Sequence, residues 1–286
     1  MTEAHESENS YLFETENATE IARLLQRNAF FHKALGGALP EQTNIDTIKS
    51  ILDIGCGPGG WSVDVAKSYP DREVIGIDIS DAMINQAKYE AREHGTQNVK
   101  FIKMNALRPL EFPEQHFDLV NMRAGVEFIP RDYWHLLLQE CYRVTRPGGI
   151  VRLMEADRMA HTNSLAFEQY HRFYATLLHE RGYGFSPDGQ TFGITPMLGK
   201  LLHDAGYQDI RTRAYALDFS YATLFQVDYR HIIETRFEKV ALQLLASKRA
   251  TQEELASIST DLHTDIALET FCGISYPLIF WGKKTA

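Results

Sequence analysis

A glycine-rich stretch at residues 55–60 is the part of this 286-residue sequence best suited to hold a ligand. Gly55, Gly57, Gly59 and Gly60 follow an apolar run that reads as a strand. Glycine adopts positive φ and lets a ligand approach the backbone closely, and open α/β sheets bind ligands at the carboxyl ends of their strands. Three of the four also fit the GxGxxG spacing of dinucleotide-binding loops. The glycines alone therefore leave the ligand open.

Two aspartates beside this loop narrow the choice. Asp53 lies at the end of the first predicted strand, where a carboxylate would be awkward beside a pyrophosphate but suits the cationic amino group of S-adenosylmethionine. Asp78 ends the next predicted strand, and its oxygens can accept hydrogen bonds from both hydroxyls of a ribose. Asp53 thus favours the sulfonium compound, whereas Asp78 supports a nucleoside site of either kind.

Alternating strands and helices must position these groups. Short apolar runs predict strands over residues 48–54, 74–78, 99–104, 117–122 and 150–155. Amphipathic helices separate most of them, and one helix has Ser80 as its N-cap and Gly95 as its terminator. Because parallel crossovers need helices to close them, this alternation predicts an α/β fold with a doubly wound sheet.

The remaining chain is predicted to add helices and two strands to this sheet. Residues 1–45 are interpreted as a polar tail and an N-terminal helical lid, 46–156 as the ligand-binding core, and 157–207 as a helical cap segment. Residues 208–286 would contain the last two strands, in the same domain as the core, with a helical insertion at 219–273. We expect a mostly parallel, seven-stranded, Rossmann-like sheet with N-terminal helices and a helical cap.

Five segments resemble the motifs of a known family. In chain order they read Asp53-Ile-Gly-Cys-Gly-Pro-Gly, Val74-Ile-Gly-Ile-Asp-Ile-Ser, Asn105-Ala, Phe117-Asp-Leu-Val-Asn-Met-Arg and Arg143-Val-Thr-Arg-Pro-Gly-Gly. Together they resemble the successive motifs of class I S-adenosylmethionine-dependent methyltransferases. The resemblance covers about residues 48 to 156 and is closest to the broad branch of small-molecule methyltransferases that includes quinone-biosynthesis and natural-product enzymes.

The resemblance implies a set of residues that bind the methyl donor, S-adenosylmethionine. Position 105 departs from the family, which often has Asp there, but the Asn carbonyl oxygen can still accept a bond from the exocyclic amine of adenine. An aromatic at the position of Tyr11 closes over the donor in many members. The implied donor-binding residues are Tyr11, Asp53, Gly55, Cys56, Gly57, Gly59, Asp78, Ile79, Met83, Asn105, Ala106 and Arg123.

Within that set, the resemblance also implies which part of the donor each residue contacts. Asp53 and the first glycines would hold the methionine portion, and Asp78 would hold the ribose. Ile79 would cover one face of the adenine, while Asn105 and Ala106 would contact its edge. Arg123 follows the fourth strand, where family members line the donor site.

The acceptor side carries no decisive motif. The candidates are Glu127, Glu155, Asp157, His161 and His171, of which we predict Glu127, His161 and His171 as catalytic. Methyl transfer is an in-line displacement, and alignment alone can supply on the order of 7–11 kcal/mol, so a general base is not required. Two ExxH-like spacings, ending at His171 and His231, would suit a di-iron bundle, but a glycine-loop sheet is not a bundle. No metal is predicted.

Composition and charge limit the partners. The formal charge of −9 and the lack of a Lys/Arg run disfavour nucleic acid, so we expect a small acceptor that is partly apolar. The polar N-terminus does not resemble a signal peptide, and no apolar run approaches the roughly 18 residues of a membrane span. We therefore expect a cytoplasmic protein without membrane contact, whose three cysteines are free thiols, with a homo-oligomer as one open option.

Three functions remain open at this point. The first is methyl transfer from S-adenosylmethionine to an O, N or C atom of a small molecule. The second is an NAD(P)-dependent oxidoreductase that uses the GxGxxG loop. The third is a protein of this fold that binds the donor without transferring methyl, because a fold and a donor pocket do not prove chemistry.

Overall fold

The computed structural model describes residues 18–43 and 45–285. Tyr11, which the resemblance assigns to the donor site, lies outside these residues. The main sheet contains β1 (Ser50–Ile54), β2 (Glu73–Asp78), β3 (Val99–Lys103), β4 (Phe117–Arg123), β5 (Thr145–Glu155), β7 (Gln208–Ala214) and β10 (Leu278–Lys283). The helices are α1 (Ala18–Leu35), α2 (Gly60–Ser68), α3 (Asp81–Glu93), α4 (Trp134–Val144), α5 (Leu165–Glu180), α6 (Thr195–Asp204), α7 (Gln226–Ala246) and α8 (Gln252–Ala267).

The main sheet has the strand order β3-β2-β1-β4-β5-β10-β7. Strand β1 pairs in parallel with β2 and β4, and β10 runs antiparallel to both β5 and β7. The predicted seven-stranded, mostly parallel sheet is thereby confirmed. The order reverses at β1, so the carboxyl ends of β1 and β4 flank the switch point where such sheets bind ligands.

Local sequence signals account for several helix ends. The Ser80 hydroxyl accepts a hydrogen bond from the Met83 N–H at 3.3 Å, which caps α3 as predicted. Thr251 and Glu254 form the predicted capping box at the start of α8. These contacts satisfy backbone N–H groups that have no partner inside the helix.

A second, three-stranded sheet was not predicted. Its strands are β6 (His161–Thr162), β9 (Gly273–Ser275) and β8 (Leu217–Asp218), paired antiparallel in that order. Strands of two or three residues are too short to show an alternating pattern. This small sheet joins the chain segments that enter and leave the helical insertion.

The helical insertion at 219–273 packs onto the core. Helix α7 contacts α1, α5 and α8, and α5 contacts α8. Phe237 and Val240 of α7 belong to the same buried cluster as residues of β4 and β5. Together with α5, the insertion therefore forms a helical layer, here named the cap (α5, α7 and α8), that shares its hydrophobic core with the sheet.

No helix among residues 18–43 and 45–285 is long and apolar enough to cross a membrane.

Candidate active site

The glycine loop after β1 has the backbone that its sequence predicts. Gly55 and Gly57 have φ of +65° and +55°, a region that side chains with a Cβ rarely adopt. A Cβ on Gly55 would stand 2.6 Å from the ring of Phe128, whereas one on Gly57 would meet only Leu24, at 3.8 Å. Gly55 is therefore required by packing as well as by φ, and Gly57 leaves an open approach to the loop.

A cleft opens above this loop, and we name it the donor pocket. It encloses about 1030 Å³, including the part open to solvent. Nine of the twelve residues that the resemblance assigns to the donor line it: Gly55, Cys56, Gly57, Asp78, Ile79, Met83, Asn105, Ala106 and Arg123. The structure therefore brings most of the predicted set together at the carboxyl edge of the sheet.

The Asp78 carboxylate is built into the loop that it faces. Its oxygens accept hydrogen bonds from the backbone N–H groups of Gly57 and Ser80, each at 2.9 Å. Burial raises the pKa of Asp78, while these backbone donors oppose the rise. A carboxylate has about four lone-pair sites, so both oxygens can still accept further bonds from a ligand.

Asp53 is not among the residues that line the donor pocket. Its side chain is buried below the loop, and its oxygens accept bonds from the Ser62 hydroxyl at 2.6 Å and the Asn121 amide at 2.8 Å. Asn121 in turn accepts a bond from Arg152, which is paired with buried Glu41. These bonds tie α2 to β4 through Asp53, and its predicted contact with the donor stays a prediction.

Gly59 also lies away from the pocket lining. It precedes α2 with φ of +82°, and a Cβ there would stand 2.7 Å from the side chain of Ala87 on α3. This close packing between helices requires a glycine at position 59, and the predicted donor contact stays a prediction.

The positive charge of Arg123 has no ion-pair partner among the residues that the structure describes. Its guanidinium makes no hydrogen bond or ion pair with residues 18–43 or 45–285, although it lies 5.8 Å from the Trp61 ring. Burial lowers the pKa of Arg123 to about 10, against the opposing charge of Asp53. It therefore remains a cation at neutral pH, and a cation without a partner is suited to a ligand anion.

A second cleft adjoins the donor pocket, and we name it the acceptor chamber. It encloses about 850 Å³ between β5 and the cap, with open edges included. The two clefts share five lining residues: Arg27, Phe31, Arg123, Ala124 and Glu127. Much of the rest of the chamber is apolar, with Val126, Met154, Met159, Phe192, Tyr229, Ile232, Ile233 and Pro277 in its walls.

Glu127 lies at the junction of the two clefts as part of an ion-pair cluster. It accepts hydrogen bonds from Arg27, at 3.3 Å, and from Arg236 of α7. Burial alone would raise the pKa of Glu127, but the charges of Arg236 and Arg27 outweigh it and lower the pKa to about 2. A carboxylate of such low basicity is poorly matched to proton transfer at neutral pH, so this arrangement favours a role in holding α1 and α7 together.

Glu155, at the end of β5, has its pKa shifted in the opposite direction from that of Glu127. It is 2% exposed and lines the acceptor chamber. Its Oε1 accepts a hydrogen bond from the Gly125 N–H at 2.5 Å, while its Oε2 has no hydrogen-bond partner in the described chain. Burial raises the pKa of Glu155 to about 8, and the nearby charge of Glu127 adds to the rise.

The two histidines predicted as catalytic are not brought to either cleft. His161 lies on exposed β6, and His171 is fully buried in α5 against the Phe192 ring. Burial lowers the pKa of His171 to about 3, so its ring is neutral. Neither residue lines the donor pocket or the acceptor chamber, so their catalytic role stays a prediction that these clefts do not support.

Known proteins with a methyltransferase domain are similar to this chain. Residues 51–149 match the family model described as a methyltransferase domain. A demethylmenaquinone methyltransferase of Geobacillus sp. (strain WCH70) is 29% identical over 187 residues, which cover 61% of this chain and 77% of that protein. One from Lactococcus lactis subsp. lactis is 38% identical over 109 residues, covering 38% of this chain and 42% of that protein.

A solved structure supports the same fold. Phosphoethanolamine N-methyltransferase 2 of Haemonchus contortus, in complex with S-adenosyl-L-methionine, superposes with a TM-score of 0.60 at 18% identity. The match covers 100% of this chain and 62% of that longer protein. The methyltransferase-domain match and these relatives support a class I S-adenosylmethionine-dependent methyltransferase.

Several residues of the donor pocket were missed by sequence reasoning. Helix α1 contributes Leu24, Arg27, Asn28 and Phe31 to the donor pocket. Their helical spacing identifies a buried face but not what that face covers. Phe128, which follows a turn after β4, has no local signal either. Such residues reach the site through long-range packing, which a short motif does not encode.

Proposed function

We propose that this methyltransferase binds S-adenosylmethionine in the donor pocket and methylates an O, N or C atom of a small molecule held in the acceptor chamber. The observation that carries the proposal is the shared wall of the two clefts at Arg123, Ala124 and Glu127. Ligands placed on either side of this wall would meet where a methyl group could pass between them.

The lining of the donor pocket suits the parts of S-adenosylmethionine. Ile79 and Met83 would offer apolar contacts to the adenine, and Asn105 and Ala106, which also line the pocket, would contact its edge. Asp78 would accept the ribose hydroxyls, and Arg123 would bind the methionine carboxylate. When bound, the donor supplies an electrophilic methyl group on a sulfonium.

The acceptor is proposed to be small and partly apolar. The aliphatic and aromatic walls of the chamber favour such a molecule, while Arg123, Arg158 and Glu155 provide polar contacts at its edges. Two relatives are named demethylmenaquinone methyltransferases, and a cyclic acceptor with an apolar part is compatible with this chamber. No nucleic acid or membrane partner is proposed.

The main work of the protein in this reaction is alignment. The loop at Gly55 and Gly57 and the cap would fix the two ligands in line, and orientation can contribute on the order of 7–11 kcal/mol. Closure of the chamber by α7 would exclude water from the sulfonium.

The division of the chain stays as proposed from the sequence. Residues 1–45 would act as the lid, 46–156 as the donor-binding core, 157–207 as a cap segment and 208–286 as the last strands with their insertion. The close packing of α1 and α7 supports one body rather than separate domains. A cytoplasmic location also remains a proposal, and a homo-oligomer an open option.

Calorimetry with S-adenosylmethionine, S-adenosylhomocysteine and NAD tests the donor assignment. We expect binding of the first two and not of NAD. Gly57→Val should abolish that binding because its side chain would enter the pocket at a positive φ. Gly199→Val, on α6 outside both clefts, is the control and should bind normally. Binding of NAD alone would favour the oxidoreductase alternative.

Mass spectrometry of a library of small acceptors incubated with S-adenosylmethionine tests methyl transfer. A product heavier by one methyl group is expected for an acceptor with an apolar ring. Donor binding without any methylated product across the library would favour the third function, a donor-binding protein without transfer.

A further inference from the structure

We propose that Glu155 receives the proton that the acceptor loses on methylation, so that the acceptor reacts at a weakly acidic hydroxyl or carbon atom. This inference rests on the proposed function, because it assumes that the donor and acceptor occupy the two adjoining clefts. It adds a catalytic residue and a chemical class for the acceptor.

The backbone fixes Glu155 in the acceptor chamber, beside the wall that the two clefts share. Its Oε1 accepts the Gly125 N–H at 2.5 Å. Gly125 directly follows Ala124, which lines both clefts and is itself held by a hydrogen bond from its N–H to the Met154 carbonyl, at 2.9 Å. The carboxyl is therefore anchored next to the wall across which the methyl group would pass.

The second oxygen of Glu155 is left without a hydrogen-bond partner in the described chain, in a residue that lines the acceptor chamber. Oε2 is buried and makes no hydrogen bond to any residue that the structure describes, yet Glu155 lines the acceptor chamber. A buried carboxyl oxygen without a partner costs free energy, so its retention at this point calls for a group that completes it. An acceptor X–H would do so.

The charges around Glu155 allow it to take up a proton near neutral pH. Burial raises its pKa to about 8; Glu127 raises it further, whereas Arg27 and the N–H groups of Gly125 and Val126 lower it. The charged groups that line the same chamber are Arg27, Arg123, Glu127, Arg158 and Arg236. A proton acceptor whose pKa lies near the working pH is well matched to general base catalysis.

The step balances without any further reactant. Atom X of the acceptor attacks the methyl carbon, the bond between sulfur and that carbon breaks, and its electron pair stays on sulfur to give S-adenosylhomocysteine. The X–H proton passes to Oε2 of ionised Glu155, and the methylated acceptor leaves uncharged at X. The carboxyl then returns its proton to solvent.

A test that needs no acceptor uses the charge of the sulfonium. S-adenosylmethionine carries this charge and S-adenosylhomocysteine does not, so only the former should displace the proton of a neighbouring carboxyl. Calorimetry near pH 8 in phosphate and in Tris measures the protons released on binding. We expect the wild-type protein to release about 0.4–0.5 more proton with S-adenosylmethionine than with its product. That amount corresponds to a fall of about one unit or more in the pKa of Glu155.

The matched variants are Glu155→Gln and Glu238→Gln. Glu155→Gln keeps an oxygen for the Gly125 N–H and should lose the extra proton release, whereas Glu238→Gln, on the exposed face of α7, should keep it. Equal extra release by Glu155→Gln and the wild-type protein would overturn the inference. Failure of both nucleosides to bind would instead overturn the proposed function.

Infrared spectroscopy of the wild-type protein gives a second readout if Glu155→Gln does not fold. The carbonyl stretch of a protonated, buried carboxyl should be present near pH 7 with S-adenosylhomocysteine and weaken with S-adenosylmethionine. An identical carboxyl band with both ligands would contradict the inference.

Discussion

At the scale of single residues, Asp78 links the shape of the glycine loop to ligand binding. It accepts the Gly57 and Ser80 N–H groups, so its loss removes two loop contacts as well as the proposed ribose contacts. We predict that Asp78→Ala weakens S-adenosylhomocysteine binding by about 1–3 kcal/mol, measured by calorimetry. Asp81→Ala, at the exposed start of α3, is the control, and unchanged affinity in folded Asp78→Ala would contradict the ribose assignment.

Arg123 allows a test that separates two parts of the donor. If its guanidinium binds the methionine carboxylate, Arg123→Gln should lower affinity for S-adenosylhomocysteine by about 1.5–3 kcal/mol, the range for a hydrogen bond to a charged group. Affinity for 5′-methylthioadenosine, which lacks the carboxylate, should change little. Equal losses for both ligands would indicate that Arg123 supports the pocket without contacting the carboxylate.

Local sequence predicted some residues of the site and not others. The loop glycines and Asp78 were identified because their function depends on backbone conformation at the ends of neighbouring strands. The hydrogen bonds of Asp53 were not predicted, because its partners, Ser62 and Asn121, come from α2 and β4 and have no local signature. Glu155 could be named as a candidate but not distinguished from His161, because burial and ion pairing decide their chemistry.

At the scale of elements, α7 connects acceptor binding to the core. Ile232 lines the acceptor chamber, whereas Val240, two helical turns later, is fully buried in the core. We predict that Ile232→Ala changes the KM for an acceptor found by the library and leaves donor affinity within about twofold. Val240→Ala should lower the unfolding free energy through a cavity but keep the acceptor KM. Identical KM changes in both variants would show that α7 acts only through stability.

Elements with strong local signals were predicted closely, and those formed by long-range pairing were not. Helices α3 and α8 begin at the predicted caps, and the parallel strands carry continuous apolar runs. The small sheet of β6, β8 and β9 depends on segments more than fifty residues apart. Its strands are too short for a periodic pattern, and their pairing is set by where the cap meets the main sheet.

At the scale of the whole molecule, three buried groups make stability depend on pH in opposite directions. The pKa of Glu127 is lowered to about 2 and that of His171 to about 3. Each of these two groups contributes fully to folding stability above the pKa that it has in the unfolded chain. This contribution is lost as the pH falls toward the pKa that the group has in the folded protein. The pKa of Glu155 is raised to about 8, so its contribution is present below about 4.5, the unfolded value, and is lost as the pH rises through 8.

The contribution of Glu155 can be isolated by comparing Glu155→Gln with the wild-type protein. Gln cannot lose a proton, so the variant should gain stability relative to wild type by up to about 1.4 kcal/mol for each pH unit between about 5 and 8. Urea unfolding at pH 5, 6.5 and 8 measures this difference, and Glu238→Gln should show no such trend because its side chain is exposed. The acid-side losses from Glu127 and His171 are common to both proteins and cancel in the comparison. A difference that stays constant across this range would mean that Glu155 is ionised in the folded protein throughout, and that its carboxylate is already charged before any ligand arrives.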